Sequence, residues 1–289
     1  MEQTKECIRQ ITAGGSAGLV EVCIMHPLDL IKTRLQMGGG VYSGFSDCIS
    51  KTYRLEGISA FYKGILPPVM AETPKRATKF FTFEQYKNIF SSPNIPQEAT
   101  FAFAGCLSGM TEAVIINPFE VVKVRLQAER TTALKDQKST AEMAREIIKK
   151  DGIGFNGLYR GFTATLARHG IWNTIYFGIY HSFKGYLPKV EDGQYMNVFS
   201  RLFLGFIAGT LASVANIPSD VAKSRIQGPQ PNGQRIYFGL TQTITLIYKT
   251  EGVKALFRGL LAKVLRLGPG GGIMLLVNET VYDYLKTNF

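Results

Sequence analysis

The sequence PLDLIKTRLQ at residues 27–36 decides the fold, because it returns as PFEVVKVRLQ at 118–127 and as PSDVAKSRIQ at 218–227. All three copies share the pattern P-x-[DE]-x-x-K-x-R-[LI]-Q, so each carries one proline, one acid and two bases at fixed positions. A repeat of this kind indicates one supersecondary unit that is used several times. Packing alone does not require this combination of charges, so the three units are expected to share a function as well as a fold.

Other motifs accompany each copy in the same order. A pair of glycines spaced G-x-x-x-G precedes the proline, a spacing that lets two helices approach closely. An acid–glycine pair and then an aromatic–basic–glycine triplet follow it, the triplets occupying residues 62–64, 159–161 and 257–259. We therefore predict three units, which span residues 1–92, 93–193 and 194–289.

The composition and net charge of the chain limit the classes of function that it can have. The chain has 289 residues and a formal net charge of +11. Its bases are spread through all three units and no nucleic-acid recognition motif occurs, so anionic lipid and an anionic solute are better expected partners than nucleic acid. The cysteines and histidines lack ligand spacing, and no nucleophile–base pair emerges. We therefore expect no metal site, no cofactor and no enzyme active site.

Each unit is predicted to contain a long helix, a short helix and a second long helix. At about 1.5 Å per residue every long helix exceeds about 30 Å, enough to cross a bilayer with tilt. The sequence therefore predicts an all-α membrane protein with six spans and both termini on one side. The long helices are expected near 8–37, 65–90, 98–128, 162–187, 197–228 and 260–286, and the short helices near 46–55, 139–150 and 238–250.

The three prolines of the repeated sequence are predicted to bend the first long helix of each unit. Three bends at one depth would gather the repeated acids and lysines into a ring. The alternative is three local pairs within single helices, each contributing only a few tenths of a kcal/mol, and the matching prolines favour the ring. The prolines are Pro27, Pro118 and Pro218, and the charge ring consists of Asp29, Lys32, Glu120, Lys123, Asp220 and Lys223.

Basic residues that follow the triplets are candidates for a solute site. Counting seven residues past each triplet glycine gives Ala71, Arg168 and Arg266, which the repeat places at one depth. An arginine within a membrane helix is costly and by default functional, although snorkelling to lipid headgroups is the alternative. Guanidinium binds carboxylate with two hydrogen bonds, so these residues predict a small dianionic solute. The candidates are Arg168, His169, Arg266, Lys75 and Lys79.

Glu21 and Glu112 are acidic candidates in the same region. Each precedes the lysine of its repeated sequence by about three helical turns, so it shares the stripe of that lysine. We interpret the two residues either as partners in helix–helix hydrogen bonds or as carboxylates that orient the solute or couple to protons.

Together these motifs resemble those of the mitochondrial carrier family over essentially the whole chain. The resemblance implies a monomer in the mitochondrial inner membrane, with six tilted helices in threefold pseudosymmetry around a cavity and three short helices on the matrix side. It implies solute exchange by alternating access, with both termini in the intermembrane space. It also implies that pairs Asp29–Lys123, Glu120–Lys223 and Asp220–Lys32 close the matrix end, braced by Gln36, Gln127 and Gln227.

The family pattern [FY]-[DE]-x-x-[KR] implies a second gate at the cytoplasmic end. It is matched fully only in the first unit, since histidine replaces the acid in the second and tyrosine replaces the base in the third. We therefore expect a weaker gate there and a resting state that is open to the cytosolic side. The residues concerned are Glu84, Lys87, His181, Lys184, Glu279 and Tyr282.

By the same resemblance, the triplets bind cardiolipin headgroups, because backbone N–H groups at helix starts attract phosphate. The partner Y-x-G element occurs at 42–44 and 237–239 but is missing from the second unit around Lys138, so the second lipid site is uncertain. The expected lipid-binding residues are Lys63, Gly64, Arg160, Gly161, Arg258 and Gly259.

The pair Arg168–His169 resembles the contact point of family members that carry keto acids. The segments at residues 72–81 and 266–272 resemble those of members that carry 2-oxodicarboxylates, which implies exchange of 2-oxoadipate or a homologue against 2-oxoglutarate. A carrier for another di- or tricarboxylate, such as malate or citrate, is the main alternative. A proton-leak member of the same family is another. A soluble stack of helical repeats is disfavoured, because it would not bury aligned charges.

Overall fold

The computed structural model describes residues 2–91, 97–130, 134–184 and 195–288, and within these ranges it contains helices and no strand. The predicted all-α fold is therefore confirmed, and the predicted helices agree to within a few residues except that the first begins earlier, at Glu2. The helices are α1 Glu2–Gln36, α2 Phe45–Glu56, α3 Leu66–Phe90, α4 Gln97–Ala128, α5 Thr140–Asp151, α6 Phe162–Lys184, α7 Tyr195–Gln227, α8 Leu240–Glu251, α9 Val253–Leu256 and α10 Leu260–Asn288.

Six of these helices are long, and they close into a ring. Each of α1, α3, α4, α6, α7 and α10 packs against the next long helix along the chain, and α10 returns to α1. By length and composition, the segments Arg9–Gln36 and Val253–Thr287 qualify as candidate membrane spans. Charged residues that face the interior of the ring lower the mean hydropathy of a long helix. Helix α3 is an example, because it carries Glu72, Lys75 and Arg76 on that side.

Three apolar clusters, one for each unit, hold the short helices against the long ones. Leu30 and Ile31 of α1 pack with Cys48 of α2, and equivalent clusters join α4 to α5 and α7 to α8. Each short helix ends at the acid–glycine motif. Gly152, which follows α5, has φ 80° and donates its N–H to Ile148 O, a conformation that closes a helix and that few residues other than glycine adopt.

A close contact between α1 and α3 explains one glycine of the G-x-x-x-G motif. A Cβ atom at Gly18 would lie 2.2 Å from Glu72 Oε1 and 2.6 Å from Arg76 Nε, so a larger residue would have to displace these two side chains. Glu72 is buried and binds Arg76 of its own helix at 2.7 Å. The glycine thus lets a charged pair pack directly against a neighbouring backbone, beside the interior of the ring.

Candidate functional site

The repeated acids and lysines meet as three ion pairs, each of which joins two units. Lys123 Nζ lies 2.8 Å from Asp29 Oδ2, Lys223 Nζ lies 2.6 Å from Glu120 Oε2, and Lys32 Nζ lies 3.0 Å from Asp220 Oδ2. These are the pairs that the resemblance implied. The alternative, in which each acid pairs with the lysine of its own helix, is wrong. The charge ring therefore links α1 to α4, α4 to α7 and α7 to α1.

The two candidate arginines reach the acids of the charge ring. Arg266 Nη1 lies 2.7 Å from Asp29 Oδ1, and Arg266 Nη2 lies 2.7 Å from Glu21 Oε1. Arg168 is held more loosely, at 3.8 Å from Glu120 and 3.9 Å from Asp220, and its Nη2 lies 2.9 Å from His169 Nε2. Both arginines are thus balanced by protein carboxylates rather than directed toward lipid headgroups.

A cavity of about 270 Å³ lies directly beside the charge ring. Arginine, lysine and histidine from α3, α6 and α10 face acids from α1 and α4 across it. Lys79, one turn beyond Lys75, is exposed and does not line the cavity. Of the predicted solute-site residues, the lining includes Glu21, Lys75, Glu112, Arg168, His169 and Arg266.

Glu21 and Glu112 differ in their contacts. Glu21 holds Arg266 through two hydrogen bonds, at 3.1 Å to Nε and 2.7 Å to Nη2, so it orients that guanidinium. Glu112 is buried and lines the cavity, and no ion pair to it is seen within the described ranges. The arrangement favours the orienting interpretation for Glu21 and leaves both interpretations open for Glu112.

Sequence reasoning missed Lys263, whose Nζ lies 2.8 Å from Asp220 Oδ2. Asp220 therefore faces two lysines, Lys32 and Lys263, and its side chain is 3% exposed. Lys263 stands nearly one helical turn before Arg266 on α10, which was the available signal. The other units have Pro68 and Thr165 at this position, so comparison of the repeats gave no hint of it.

The expectation that three glutamines brace the ion pairs is wrong for this structure. Gln36 Oε1 accepts from Ser224 Oγ at 2.7 Å, and Gln227 Nε2 donates to Asn117 Oδ1 at 3.3 Å. The buried side chain of Gln127 has no hydrogen-bond partner within the described part of the chain. The reason is geometric, because each glutamine lies one helical turn beyond its lysine and packs against a triplet glycine of another unit.

The triplet glycine of each unit contacts the helical turn that carries the glutamine of the next unit, and the third unit contacts the first in the same way. A Cβ atom at Gly161 would lie 3.1 Å from Gln227 Cγ, and one at Gly259 would lie 3.1 Å from Gln36 Cγ. Gly64 meets the turn around Gln127 in the same way. The triplet of each unit thus buttresses the helix of the next unit just beyond the charge ring.

The predicted lipid sites rest on backbone N–H groups, and the basic side chains of two triplets are buried rather than available to a headgroup. Lys63 is fully buried, where it binds Glu56 and donates to Glu129 O at 3.2 Å. Arg160 is 3% exposed and also faces the interior. Only Arg258 is partly exposed, and it binds Glu251 at 2.9 Å. These side chains are directed inward because the acid of the acid–glycine motif attracts them.

That acid also binds the second base of the repeated sequence, so a cluster of three charges forms in each unit. Arg225 and Arg258 share Glu251, and these bonds, chiefly the one from Arg225, hold the pKa of Glu251 below its ordinary value. In the second unit the acid is the shorter Asp151, which lies 2.9 Å from Arg125 but 4.0 Å from Arg160. Arg160 Nε and Nη2 have no hydrogen-bond partner among the residues that the structure describes, and burial lowers the pKa of Arg160 to about 10.

The opposite end of the helix ring shows different contacts. Glu84 binds Lys87 of its own helix at 2.5 Å, and the Tyr282 hydroxyl donates to Glu6 of α1 at 2.6 Å. Glu279 is exposed. Among these residues, no ion pair joins one unit to another as it does in the charge ring. The side chains of His181 and Lys184 lie outside the described part of the chain.

The described residues contain no group of three or more His, Cys, Asp or Glu side chains that would hold a metal ion. The chemistry of the site is that of opposed fixed charges around a small cavity. Such an arrangement has the chemistry to accept a multiply charged solute, whose carboxylates can replace those of the protein as partners of the arginines.

Comparisons with known proteins agree with this architecture. A sequence model for the family described as mitochondrial carrier protein matches residues 3–94, 99–191 and 194–289. The mitochondrial 2-oxodicarboxylate carrier of Homo sapiens is 52% identical over 99% of this chain and 97% of its own length. The mitochondrial 2-oxodicarboxylate carrier 2 of Saccharomyces cerevisiae is 37% identical, and the mitochondrial citrate transporter D of Aspergillus niger is 38% identical, each over 96% of this chain and 94% of its own length.

Proposed function

The chain belongs to the mitochondrial carrier family, and we propose that it exchanges 2-oxodicarboxylates across the mitochondrial inner membrane. The 52% identity to a 2-oxodicarboxylate carrier over nearly the whole chain carries the choice of substrate class. Exchange of 2-oxoadipate or a homologue against 2-oxoglutarate is the specific reaction. The protein acts as a transporter, and its substrates cross unchanged.

Six long helices span the bilayer in this proposal, and both termini lie in the intermembrane space. The closed ring of packed long helices supports this topology, because such a ring isolates a polar interior from lipid. The short helices α2, α5 and α8 then lie at the matrix surface. The protein functions as a monomer, since one chain supplies the whole cavity.

Arg266 and Arg168 each bind one carboxylate of the solute. Arg266 is already held by the carboxylates of Glu21 and Asp29, so the geometry for bidentate binding is preset. A solute carboxylate takes the place of one of these acids. Arg168 has weaker partners at 3.8 and 3.9 Å and is freer to turn toward the second carboxylate.

The charge ring closes the matrix end until solute arrives. Solvent-exposed ion pairs contribute about 0–1 kcal/mol each and partly buried pairs such as these somewhat more, so the three pairs contribute a few kcal/mol together. A solute that binds with micromolar to millimolar affinity contributes about 4–8 kcal/mol. Binding is therefore strong enough to open the ring, provided that the solute interacts more favourably with the opening state.

Cardiolipin is the proposed structural lipid. The short helices α2 and α8 begin at Gly44 and Gly239 without a side-chain cap, so their backbone N–H groups remain available to a headgroup phosphate. Of the triplet glycines, Gly161 and Gly259 contribute backbone N–H groups in the same way, whereas the N–H of Gly64 donates to Gln137 Oε1 at 3.3 Å. The buried side chains of Lys63 and Arg160 take no part.

Counter-exchange in proteoliposomes tests the proposed function. We expect uptake of labelled 2-oxoglutarate only into vesicles that contain an oxodicarboxylate, when five-, six- and seven-carbon oxodiacids are compared with malate and citrate. Faster exchange with citrate would favour the alternative of a citrate carrier, which is the name that the Aspergillus niger relative bears. Proton flux without an exchangeable solute would favour the proton-leak alternative.

A further inference from the structure

Two lysines from different units share one oxygen of Asp220. Lys32 Nζ of α1 lies 3.0 Å from Asp220 Oδ2, and Lys263 Nζ of α10 lies 2.8 Å from the same atom. The first contact joins the third unit to the first and belongs to the charge ring, whereas the second contact lies within the third unit. Two ammonium groups beside one oxygen repel each other, so the Lys32–Asp220 pair is weaker than it would be without Lys263.

Lys263 and Asp220 are attached to the same packed group of helices. The buried cluster of the third unit contains Val221, the neighbour of Asp220 on α7, together with residues of α8 and α9. Leu260 of α10, three residues before Lys263, packs against that cluster. Lys32 lies on α1, which forms its own apolar cluster with α2. Separation of the first unit from the third would therefore take Lys32 away from Asp220 and leave Lys263 beside it.

The other two acids of the charge ring have second partners of a different kind. Arg266 lies 2.7 Å from Asp29 and Arg168 lies 3.8 Å from Glu120, but both arginines are proposed to bind the solute. Among the described residues that line the cavity, Lys263 is not included, so a solute in the cavity leaves it with its acid. The first and second units have proline and threonine at the position of Lys263, and neither carries a charge.

We propose that Lys263 is a positioning residue of the matrix gate, which holds Asp220 once Lys32 has left it. The link between α7 and α1 then opens without leaving a buried carboxylate unpaired, and leaving one unpaired is costly. The third unit thus carries a device that the repeated sequence does not supply to the other two. This inference rests on the proposed function, because it concerns how the carrier opens toward the matrix.

Counter-exchange kinetics in proteoliposomes test the proposal. Lys263→Met keeps most of the length of the side chain and removes its charge, so opening leaves Asp220 with only Arg168 nearby, at 3.9 Å. The maximal exchange rate should fall about tenfold, which corresponds to about 1.4 kcal/mol. KM should change by less than about twofold, because the interaction acts on opening and not on solute binding.

Two further variants control the kinetic test. Lys263→Arg keeps the charge and is expected to retain most of the exchange rate, whereas Lys254→Met removes an exposed lysine of α9 and is expected to change neither constant. An unchanged maximal rate in Lys263→Met would overturn the proposal. A rise in KM at an unchanged maximal rate would also overturn it, because Lys263 would then bind the solute.

Thermal unfolding in detergent tests the shared oxygen without any solute. Lys32→Met and Lys263→Met each leave Asp220 with one lysine, whereas the double variant leaves it with none. The double variant should therefore lose more melting temperature than the two single variants together. Additive losses would overturn the proposal, and so would unfolding of Lys263→Met alone, because Lys32 remains with Asp220 in that variant. The unfolding experiment does not depend on transport, so it separates failure of this proposal from failure of the proposed function.

Discussion

Arg266 and Asp29 are joined by a 2.7 Å ion pair that connects the wall of the cavity to the charge ring. Asp29 also binds Lys123 at 2.8 Å through its other oxygen. One carboxylate therefore serves both the residue proposed to bind solute and a pair proposed to close the matrix end. A solute that draws Arg266 away from Asp29 changes the charge that Lys123 experiences, which couples binding to opening.

Removal of either arginine is expected to abolish exchange. Arg266→Ala and Arg168→Ala each remove a guanidinium that is proposed to bind a solute carboxylate. In Arg266→Ala, the acids Glu21 and Asp29 also lose a close cation. Exchange should fall at least about a hundredfold, because a solute carboxylate loses two charge-assisted hydrogen bonds of about 1.5–3 kcal/mol each. Initial rates of counter-exchange in proteoliposomes measure the effect. Arg54→Ala, on the exposed face of α2, serves as the control, and retained exchange in either cavity variant would remove that arginine from the site.

Neutralisation of Glu21 is expected to strengthen solute binding. Glu21→Gln keeps the shape of the side chain but competes less well with the solute for Arg266, so KM should fall by roughly threefold to tenfold, or about 1 kcal/mol. Initial rates at varied solute concentration measure this. Glu112→Gln changes a carboxylate of the same cavity that is not paired with Arg266, and its KM should stay close to that of the unmodified protein. A rise in KM for Glu21→Gln would show that the Glu21 carboxylate assists solute binding and does not compete with the solute for Arg266.

Crowding between units is expected to make Gly161 more sensitive to alanine than Gly233, which has open space around it. Both have a φ of 72°, so alanine at either position costs about 1–2 kcal/mol in backbone strain. Only at Gly161 does the added methyl group meet Gln227, at 3.1 Å, which should add about 1–3 kcal/mol of overpacking. Thermal unfolding in detergent measures both variants. Equal losses of melting temperature in the two alanine variants would show that the contact between Gly161 and Gln227 is loose.

Lengthening the acid of the second unit is expected to stabilise the protein. Asp151→Glu lets one carboxylate reach both Arg125 and Arg160, as Glu56 and Glu251 reach their two bases. Supplying the buried Arg160 with a partner should raise the free energy of unfolding by about 1 kcal/mol.

The reverse change, Glu56→Asp, withdraws a carboxylate from Arg34 and Lys63 and is expected to lower the melting temperature. If Asp151→Glu left the melting temperature unchanged or lowered it, Arg160 would have to be satisfied in some other way.

Repetition explains how much of the structure could be predicted. The charge ring, the helix order and the cavity followed from residues that occur three times at one depth, such as Asp29 and Lys123. The ion pairs of Arg34 and Arg225 with the acid–glycine motif also recur, so comparison of the repeats contained that signal although sequence reasoning did not use it.

Features specific to one unit could not be predicted in the same way. Lys263 beside Asp220 depends on a side-chain partner across the tertiary structure, and no other unit repeats it. The glutamine braces failed for a related reason. The position of Gln127 in the repeat was clear, but its packing against Gly64 depends on how neighbouring units meet.

The charge ring as a closed matrix gate is the central claim, and accessibility of the cavity tests it most directly. Lys75, which lines the cavity, is changed to cysteine in a protein whose native cysteines are serine, and an impermeant maleimide is applied to either side of oriented proteoliposomes without solute. We predict that Lys75→Cys reacts from the intermembrane-space side and is protected from the matrix side. Predominant reaction from the matrix side would contradict the account.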